Sequence, residues 1–508
     1  MKTKYVSKNT AKFVRSGYNR KVIKAELLWG DRIKIDENVL NADGYIKCKA
    51  RGNSGFIEPN SYGDESLLEV YVIDVGQGDG MLIKCPDPNK SKLGRHIMID
   101  GGYLREKQPT FKNAADFVDW KFSKEYGADK IELDDMIISH CDADHYGGLW
   151  DLISTSPEAK DDLDTDEVKV KNFYHAGISW VRKKPKDRSL GIEQGGKLKT
   201  IFTDKQSFVN ALDKNKYPQL QGEWGSFIEE LIDSDAAENI NILGYDSTIG
   251  GDQYMPNYAP NESDVHIKVL GPIQDKNNND DIELFDLGSH SKNTNGNSIV
   301  LSLKYKQFKL LLTGDLNKPS QDLLSQYHDK KEFASDVAKA CHHGSEKVSY
   351  KFLEHVNAAA TIISSGDNES HAHPTPNLMA MAAITGFKTT YGDSLKTPLI
   401  YATEIARSMR IGTPLSANIN HPKDNNIANN LVINNLSEIW VNYKRTNAGD
   451  LKAAKKLRTL DRLTVVDGII YGLVNVRTDG NKILIAVLSE KGHKWDYKTF
   501  NSRFEEIA

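Results

Sequence analysis

The sequence predicts an α/β protein in which several buried strands end in histidine and aspartate residues. The apolar pair Ile137-Ile138 leads into two histidines and two aspartates within residues 140–145. A second apolar run ends in Asp315, and a third precedes the adjacent pair His342-His343. Ligand sites in α/β proteins form at the carboxyl ends of strands. These three segments therefore predict a polar site at the ends of strands.

The first segment carries the ligand types that bind divalent metals. His140, Asp142, Asp144 and His145 lie within six positions, and imidazole with carboxylate suits zinc, manganese or iron. One ion does not need four ligands from one loop, so the density indicates two ions. The pair Gly147-Gly148 before an apolar run predicts a tight turn into a helix. A chance cluster in a surface loop is the alternative, and the strand-loop-helix frame disfavours it.

Further strands are predicted on both sides of this segment. Two β-branched runs around Gly-Gln-Gly-Asp-Gly at 76–80 predict a hairpin. Because a strand follows these glycines, a dinucleotide-binding loop is disfavoured. The next strand ends at Asp100. Near the chain end, Asp479-Gly480 between two β-rich runs predicts a hairpin that completes a sheet of the same domain.

The motif at 140–145 resembles the His-x-His-x-Asp-His signature of the metallo-β-lactamase superfamily, with Asp142 where the second histidine is usual. This exchange, with Asp-Val-Gly-Gln-Gly-Asp at 74–79 and Thr-Gly-Asp at 313–315, is similar to the soluble hydrolase domain of ComEC-type competence proteins. The resemblance implies an αββα sandwich and two divalent metal ions, manganese or zinc, with magnesium as an alternative. Asp142 makes the site more anionic, which favours manganese or magnesium relative to zinc.

The resemblance also implies residue roles. Asp315 is expected to bridge both ions and His343 to lie near the scissile group. Where the superfamily commonly has a histidine, this chain has Asn297-Ser298, which implies weaker binding of the first ion. The implied metal ligands are His140, Asp142, Asp144, His145, Asp315 and His373; the catalytic candidates are Asp142, Asp144 and His343; the substrate-binding candidates are Asn297, Ser298 and Ser345, the last at a predicted helix start; the structural supports are Asp74, Asp79 and Asp100.

Three segments are predicted along the chain. Residues 1–21 are basic and polar and predict a flexible leader. Residues 22–66 alternate short β-rich runs with Gly, Asn and Asp, and resemble a bacterial SH3-like small barrel; a hairpin appended to the main domain is the alternative. Residues 67–508 are expected to form the hydrolase domain, with irregular insertions around 154–265. A protein partner, if there is one, is expected at the N-terminal module.

Composition narrows the class of protein. The 508 residues have a formal net charge of −4, which predicts that any polyanion site is a local patch. Four cysteines without paired spacing argue against a disulfide framework and suit a reducing cytoplasm. Neither a secretory signal nor an apolar run of membrane-spanning length is visible, so a cytoplasmic protein without a membrane segment is expected. Oligomeric state is not predicted.

Three classes of function fit this pattern. The first is a nuclease or phosphodiesterase that attacks nucleic acid through a metal-activated hydroxide. The second is a metallo-hydrolase of a lactone, thioester, amide or small phosphoester, which the fold does not exclude. The third is a non-catalytic sensor or scaffold, which the near-complete ligand set disfavours. Trp180 and the basic run at 182–188 are either a contact for a polyanionic substrate or a packing anchor beside a solvated face.

Overall fold

The computed structural model describes residues 1–14, 23–87, 93–108, 112–184, 187–366, 373–403, 410–412, 416–419, 431–434, 439–444, 455–460, 465–467, 473–489 and 494–504. Two compact units are formed, one from residues 1–404 with 471–508 and the other from residues 405–470. Within the described ranges, each helix is too short or too polar to cross a bilayer.

The first unit begins with a seven-stranded antiparallel sheet. Its strands are β1 (Lys2–Val6), β2 (Thr10–Val14), β3 (Ile23–Leu28), β4 (Arg32–Leu40), β5 (Ile46–Ala50), β6 (Asn53–Ile57) and β7 (Tyr62–Gly63), paired in the order β3-β2-β6-β5-β4-β1-β7. Alternating apolar side chains form its core, among them Phe13, Leu27, Ile35 and Ile57. This N-terminal module therefore has a hydrophobic core of its own.

The predicted flexible leader at 1–21 is wrong for the residues that are described there. Residues 2–6 and 10–14 are strands, and Tyr5, Val6 and Phe13 are almost fully buried. The lysines that made the segment look mobile alternate with these apolar residues, which is the period-2 pattern of a half-buried strand. The module therefore starts at residue 2, and not at residue 22.

The remaining strands and helices follow in chain order. The strands up to residue 402 are β8 (Leu68–Val72), β9 (Gly80–Lys84), β10 (His96–Gly101), β11 (Lys130–Ile137), β12 (Glu167–His175), β13 (Val181–Lys184), β14 (Asp187–Ser189), β15 (Glu193–Gln194), β16 (Lys197–Leu198), β17 (Ala237–Ile242), β18 (Tyr245–Asp246), β19 (Val265–Gly271), β20 (Ile273–Lys276), β21 (Ile282–Phe285), β22 (Val300–Tyr305), β23 (Phe308–Leu312), β24 (Val337–Lys339), β25 (Ala360–Ile363), β26 (Thr389–Tyr391), β27 (Ser394–Thr397) and β28 (Leu399–Ala402). The helices are α1 (Ala114–Trp120), α2 (Ala143–Ile153), α3 (Pro157–Asp161), α4 (Lys205–Leu212), α5 (Gly222–Asp233), α6 (His290–Gly296), α7 (Lys318–Tyr327), α8 (Lys330–Phe333), α9 (Tyr350–Val356) and α10 (Pro376–Thr385).

The second unit contains three antiparallel strand pairs. Its strands are β29 (Arg410–Gly412), β30 (Ser416–Ile419), β31 (Leu431–Asn434), β32 (Ile439–Lys444), β33 (Lys455–Leu460) and β34 (Val465–Asp467), paired as β29-β34, β30-β31 and β32-β33. The chain then returns to the first unit with β35 (Val474–Thr478), β36 (Lys482–Ser489) and β37 (Lys494–Asn501). The expectation that residues 67–508 form one domain is therefore wrong at 405–470.

Two large sheets form the body of the first unit. One has nine strands in the order β17-β12-β11-β10-β9-β8-β35-β36-β37, and the other has six in the order β19-β22-β23-β24-β25-β28. The predicted hairpins are present, because β8 pairs with β9 and β35 pairs with β36. Strand β35 also pairs with β8, so the C-terminal hairpin completes the nine-stranded sheet as predicted.

Helices cover the outer faces of both sheets. On the nine-stranded sheet, α1, α2 and α5 share one apolar core with alternate strand residues, and on the six-stranded sheet α7, α9 and α10 do the same. The intervening strand residues, such as Ile97 and Leu310, are equally buried. Backbone Ile299 N donates to Ser139 O at 2.9 Å and Tyr401 Oη to Ile485 O at 3.5 Å, which joins the two sheets. The predicted αββα sandwich is the observed architecture.

The region at 154–265, which the sequence predicts to be irregular insertions, contributes to the main sheet. Strands β12 and β17 lie there, pair in parallel with β11 and with each other, and extend the nine-stranded sheet. Helix α5 packs Trp224 and Phe227 on that sheet. The charged residues Glu167, Lys169 and Lys171 hide this role, because they alternate with Val168 and the buried Val170 along one strand.

Candidate metal centre

The loops that follow β10, β11, β23 and β24 meet at one edge of the two sheets. The segment 140–145 leaves β11 and enters α2, so that Asp142 precedes the helix and Asp144 and His145 lie in its first turn. The pair Gly147-Gly148 lies inside this helix and does not form the predicted turn. A Cβ on Gly148 would lie 2.0 Å from Gly101 O, so glycine is required for the helix to approach β10 this closely.

Three buried side chains and the half-buried Asp144, from three loops, converge at the centre of this edge. His343 Nε2 lies 3.1 Å from Asp315 Oδ2 and 3.5 Å from Asp144 Oδ2. His145 Nε2 lies 3.5 Å from the same Asp315 oxygen and 3.9 Å from Asp144 Oδ1. We call these residues, Asp144, His145, Asp315 and His343, the central cluster. Its geometry places Asp315 between two imidazoles.

His140 extends the central cluster on one side. Its ring centroid lies 4.0 Å from that of His145, and its ligand atom lies within 4.8 Å of ligand atoms of His145 and Asp315. Asp142 Oδ2 lies 3.6 Å from His140 Nε2. The sets of close ligand atoms in the described residues thus include His140 and the central cluster, whereas Asp142 lies beside His140 only.

Two buried aspartates orient the histidines of the central cluster. Asp100 Oδ2 lies 2.9 Å from His145 Nδ1, and Asp100 Oδ1 accepts a hydrogen bond from Ser139 N at 2.7 Å. Asp79 Oδ1 lies 3.2 Å from His343 Nδ1, and the same nitrogen has its hydrogen-bond partner in Ser364 O at 3.2 Å. Both imidazoles turn their Nε2 atoms toward the centre, as metal-binding histidines do when a carboxylate or a backbone carbonyl holds the other nitrogen. The third predicted support, Asp74, accepts from Gly76 N at 3.2 Å in the turn that carries Asp79.

Lys339 is a buried residue of the site that the sequence analysis missed. Its Nζ pairs with Asp79, donates to Gly314 O at 2.9 Å and lies 3.7 Å from Asp315 Oδ1. A lysine in the three-residue strand β24, whose residues are all buried, was the available signal. A buried ammonium needs ionic partners, and Lys339 thus links the support residue Asp79 to the central cluster.

Asp142 occupies a polar corner next to the centre. Trp180 Nε1 donates to Asp142 Oδ1 at 3.4 Å and Thr294 Oγ1 to Asp142 Oδ2 at 3.3 Å. With its amide assigned to satisfy its neighbours, Asn295 also donates to Asp142 Oδ2 at 3.1 Å. Burial, and then the charge of Asp144, raise the pKa of Asp142 to about 6. Three donors from distant segments therefore hold this carboxylate.

The pKa shifts in the central cluster keep its carboxylates ionised, as a cation site requires. Burial opposes ionisation of Asp144 and Asp315, but the facing histidines hold both pKa values well below the usual range. Burial likewise lowers the pKa values of His145 and His343, but the surrounding carboxylates outweigh it and raise both well above the usual value. Buried ionised carboxylates need a compensating positive charge nearby.

The donor set fits divalent metal ions. The Nε2 atoms of His140, His145 and His343 are buried and form no hydrogen bond with the described residues, and the same is true of Asp315 Oδ1. Buried polar atoms without hydrogen bonds are costly unless another group satisfies them. Imidazole nitrogens and carboxylate oxygens at these separations are ligands of zinc, manganese or iron. Metal binding would require the imidazoles to be neutral.

Other predicted site residues lie around this centre or away from it. His373 lies outside the close ligand sets, with its ring centroid 5.8 Å from that of His342. His343, predicted to lie near the scissile group, is in the close ligand sets, and the ligand role predicted for His373 stays a prediction. Ser298 Oγ lies 3.3 Å from His140 Nδ1 and accepts from Asp315 N at 3.2 Å, so it supports the ligand loops.

Two predicted substrate-binding residues do not face the centre. The Asn297 amide donates to Phe285 O at 3.2 Å and to Asn293 O at 3.0 Å, and the residue is buried. Ser345 does not begin a helix, since α9 starts at Tyr350, and its hydroxyl accepts from Lys347 N at 3.3 Å. The helix start predicted at Ser345 is therefore wrong, whereas the roles of Asn297 and Ser345 in substrate binding stay predictions.

An open cleft of about 590 Å³ reaches the metal loop. Its lining residues include Asp142, Asp144, Trp180, Arg188 and Glu223. Pockets of about 300–1,000 Å³ are typical of small-molecule and cofactor sites. The cleft therefore gives a ligand access to the carboxylates at the start of α2.

Sequence and structure comparisons relate this chain to known proteins. No family model matches it. ComE operon protein 3 of Bacillus subtilis (strain 168) is 25% identical over 326 residues, which are 62% of this chain and 30% of that protein. This chain thus spans less than a third of that relative's length.

The solved structure of Tm1679, a metal-dependent hydrolase of the β-lactamase superfamily, is 12% identical and covers 66% of this chain and 95% of its own. Its TM-score of 0.28 is too low to bear on the fold or the function of this chain. The αββα sandwich and the His-x-Asp-x-Asp-His loop are instead observed directly. Together with the sequence match, they confirm that this chain resembles the metallo-β-lactamase superfamily and, within it, the ComEC-type proteins.

Proposed function

We propose that the chain is a metal-dependent hydrolase that cleaves phosphodiester bonds of nucleic acid. The observation that carries the proposal is the central cluster, in which two aspartates and two histidines from three loops meet within 3.9 Å. Each histidine is held by a buried aspartate behind it. A non-catalytic scaffold has no need for such an arrangement of buried charge.

Some residues of the chain would bind the metal ions, and others orient those ligands. His140, Asp144, His145, Asp315 and His343 would hold two divalent ions. When bound, such ions supply an activated hydroxide near neutral pH and stabilise the charge that develops on a phosphoryl group. Asp79 and Asp100 keep the histidine Nε2 atoms turned inward. His145, Asp315 and His343 are buried, whereas Asp144 also lines the cleft, through which a substrate reaches the ligand atoms.

A phosphodiester suits the site better than an uncharged substrate. Phosphoryl transfer needs both the attacking and the leaving oxygen to be stabilised, and a pair of cations does this without a covalent enzyme intermediate. The cleft of about 590 Å³ beside Asp144 has room for a nucleotide unit of a strand as well as for a small molecule. Hydrolysis of a lactone, thioester or amide is the competing outcome.

A substrate panel tests the proposal. Wild-type protein is incubated with manganese, magnesium or zinc and with single- and double-stranded DNA, RNA, bis(4-nitrophenyl) phosphate and a neutral nitrophenyl ester. Cleavage of a phosphodiester is expected to require metal and to be lost in Asp144→Asn. Asp233→Asn makes the same chemical change at an exposed position at the end of α5. This variant is expected to retain phosphodiester cleavage. Hydrolysis of the ester alone would reject the proposal in favour of a small-molecule hydrolase.

A further inference from the structure

The cleft beside the metal loop contains one fixed positive charge. Among the described residues that line it, Arg188 alone is cationic. Arg188 lies in β14, and its guanidinium carbon is 4.0 Å from the centroid of the Trp180 ring. Arginine on an indole face is held by cation–π attraction and by stacking. The contact with Trp180 therefore holds the guanidinium in a defined position.

Trp180 also fixes the position of Arg188 relative to the metal loop. The indole is only 6% exposed, and its Nε1 donates to Asp142 Oδ1 at 3.4 Å. His290 packs edge-on against the same ring at 5.9 Å. One aromatic ring therefore touches the metal loop through its polar edge and Arg188 through its face.

The charge of Arg188 is not compensated within the cleft. Arg188 forms no ion pair with a described residue, whereas the acidic residue Glu223 on the opposite wall pairs with Lys107. Guanidinium groups match phosphate oxygens in geometry and form charge-assisted hydrogen bonds with them. An exposed, positioned arginine near carboxylates that would bind metal favours an anionic ligand spanning both.

We propose that Arg188, seated on Trp180, binds a phosphate of the substrate next to the phosphate that is cleaved. The inference rests on the proposed function and adds a substrate class to it: a strand with at least two consecutive phosphates. A diester with a single phosphate can occupy the centre but cannot reach Arg188 at the same time. Arg188 is thus a specificity-determining residue, and the chain prefers oligonucleotides to isolated diesters.

The test compares two substrates in the metal-loaded protein. The kcat/KM for a single-stranded oligonucleotide is divided by that for bis(4-nitrophenyl) phosphate. This ratio is expected to fall about tenfold in Arg188→Gln, and the salt dependence of oligonucleotide binding is expected to lose about one unit of slope, as for one phosphate contact. The matched control is Arg182→Gln in the same hairpin, an exposed arginine that contacts Gln219 outside the cleft lining. It is expected to leave the ratio unchanged.

The results distinguish a failure of the role proposed for Arg188 from a failure of the proposed function. An unchanged ratio in Arg188→Gln, or an equal loss on both substrates, overturns the role of Arg188 in phosphate binding. Wild-type cleavage of the chromogenic diester but not of oligonucleotides overturns this inference and leaves the proposed function standing. Cleavage of neither substrate overturns both. A thermal melt of each variant shows whether a loss comes from unfolding.

Discussion

Replacing Asp315 with asparagine is expected to reduce metal-dependent hydrolysis about 10³-fold, which corresponds to about 4 kcal/mol of transition-state stabilisation. Asp315 lies between His145 and His343, at 3.5 and 3.1 Å from their Nε2 atoms. A neutral amide there removes the charge that would be shared by two cations. Metal content, measured by mass spectrometry after dialysis, is expected to fall along with the rate.

The control for this prediction is Asp233→Asn, which changes an exposed carboxylate far from the ligand loops in sequence. It is expected to keep both the rate and the bound metal. An Asp315→Asn protein that retains its full metal content and turns over at the wild-type rate would show that Asp315 is not a ligand. Circular dichroism of both variants separates loss of metal from loss of the fold.

Replacing Lys339 with methionine is expected to lower the free energy of unfolding by about 3–5 kcal/mol, the usual cost of removing one partner of a buried ion pair. Lys339 Nζ pairs with Asp79 and donates to Gly314 O, and the lysine is buried. Methionine fills a similar volume but leaves the Asp79 carboxylate without its counterion. Urea denaturation followed by fluorescence, extrapolated to water, measures the change.

Lys351→Met is the matched control, since Lys351 is exposed on α9. A surface change of this kind is expected to stay within about 0.5 kcal/mol. If Lys339→Met lost no more stability than Lys351→Met, Asp79 would not depend on the lysine for its charge. Another group would then have to balance the charge of the Asp79 carboxylate beside His343.

The sequence was most informative where structure is local. The loop at 140–145, the hairpin around residues 76–80 and the Asp315 turn each follow an apolar strand, so their positions could be predicted from hydrophobic pattern and turn residues. The hairpin at the chain end was predicted from Asp479-Gly480 and its flanking β-rich runs, whereas its pairing with β8 is known only from the structure.

Contacts between distant segments could not be predicted. Thr294, Asn295 and Trp180 surround Asp142, and each lies at least 38 positions away in the chain. Nothing in a single sequence shows that these residues meet. The proximity of His343 to Asp144 and Asp315 is of the same kind, since His343 and His373 both follow strands of the six-stranded sheet and only the three-dimensional arrangement tells them apart.

Two errors arose from reading charge as exposure. The basic residues at 1–21 suggested a flexible leader, and the irregular, charged sequence around 154–265 suggested insertions, yet residues 2–6, 10–14 and 167–175 are strands. In each, charged side chains alternate with buried ones. Period-2 alternation is the signal that outweighs composition in such segments.

The proposed function requires that this edge of the sandwich hold two divalent metal ions. Wild-type protein stripped of metal and titrated with manganese, with bound metal counted by mass spectrometry and phosphodiester cleavage followed in parallel, tests it most directly. We expect two ions per chain, with activity rising as the second one binds. Saturation at one ion with full activity, or phosphodiester cleavage in metal-free protein, would contradict the two-metal account.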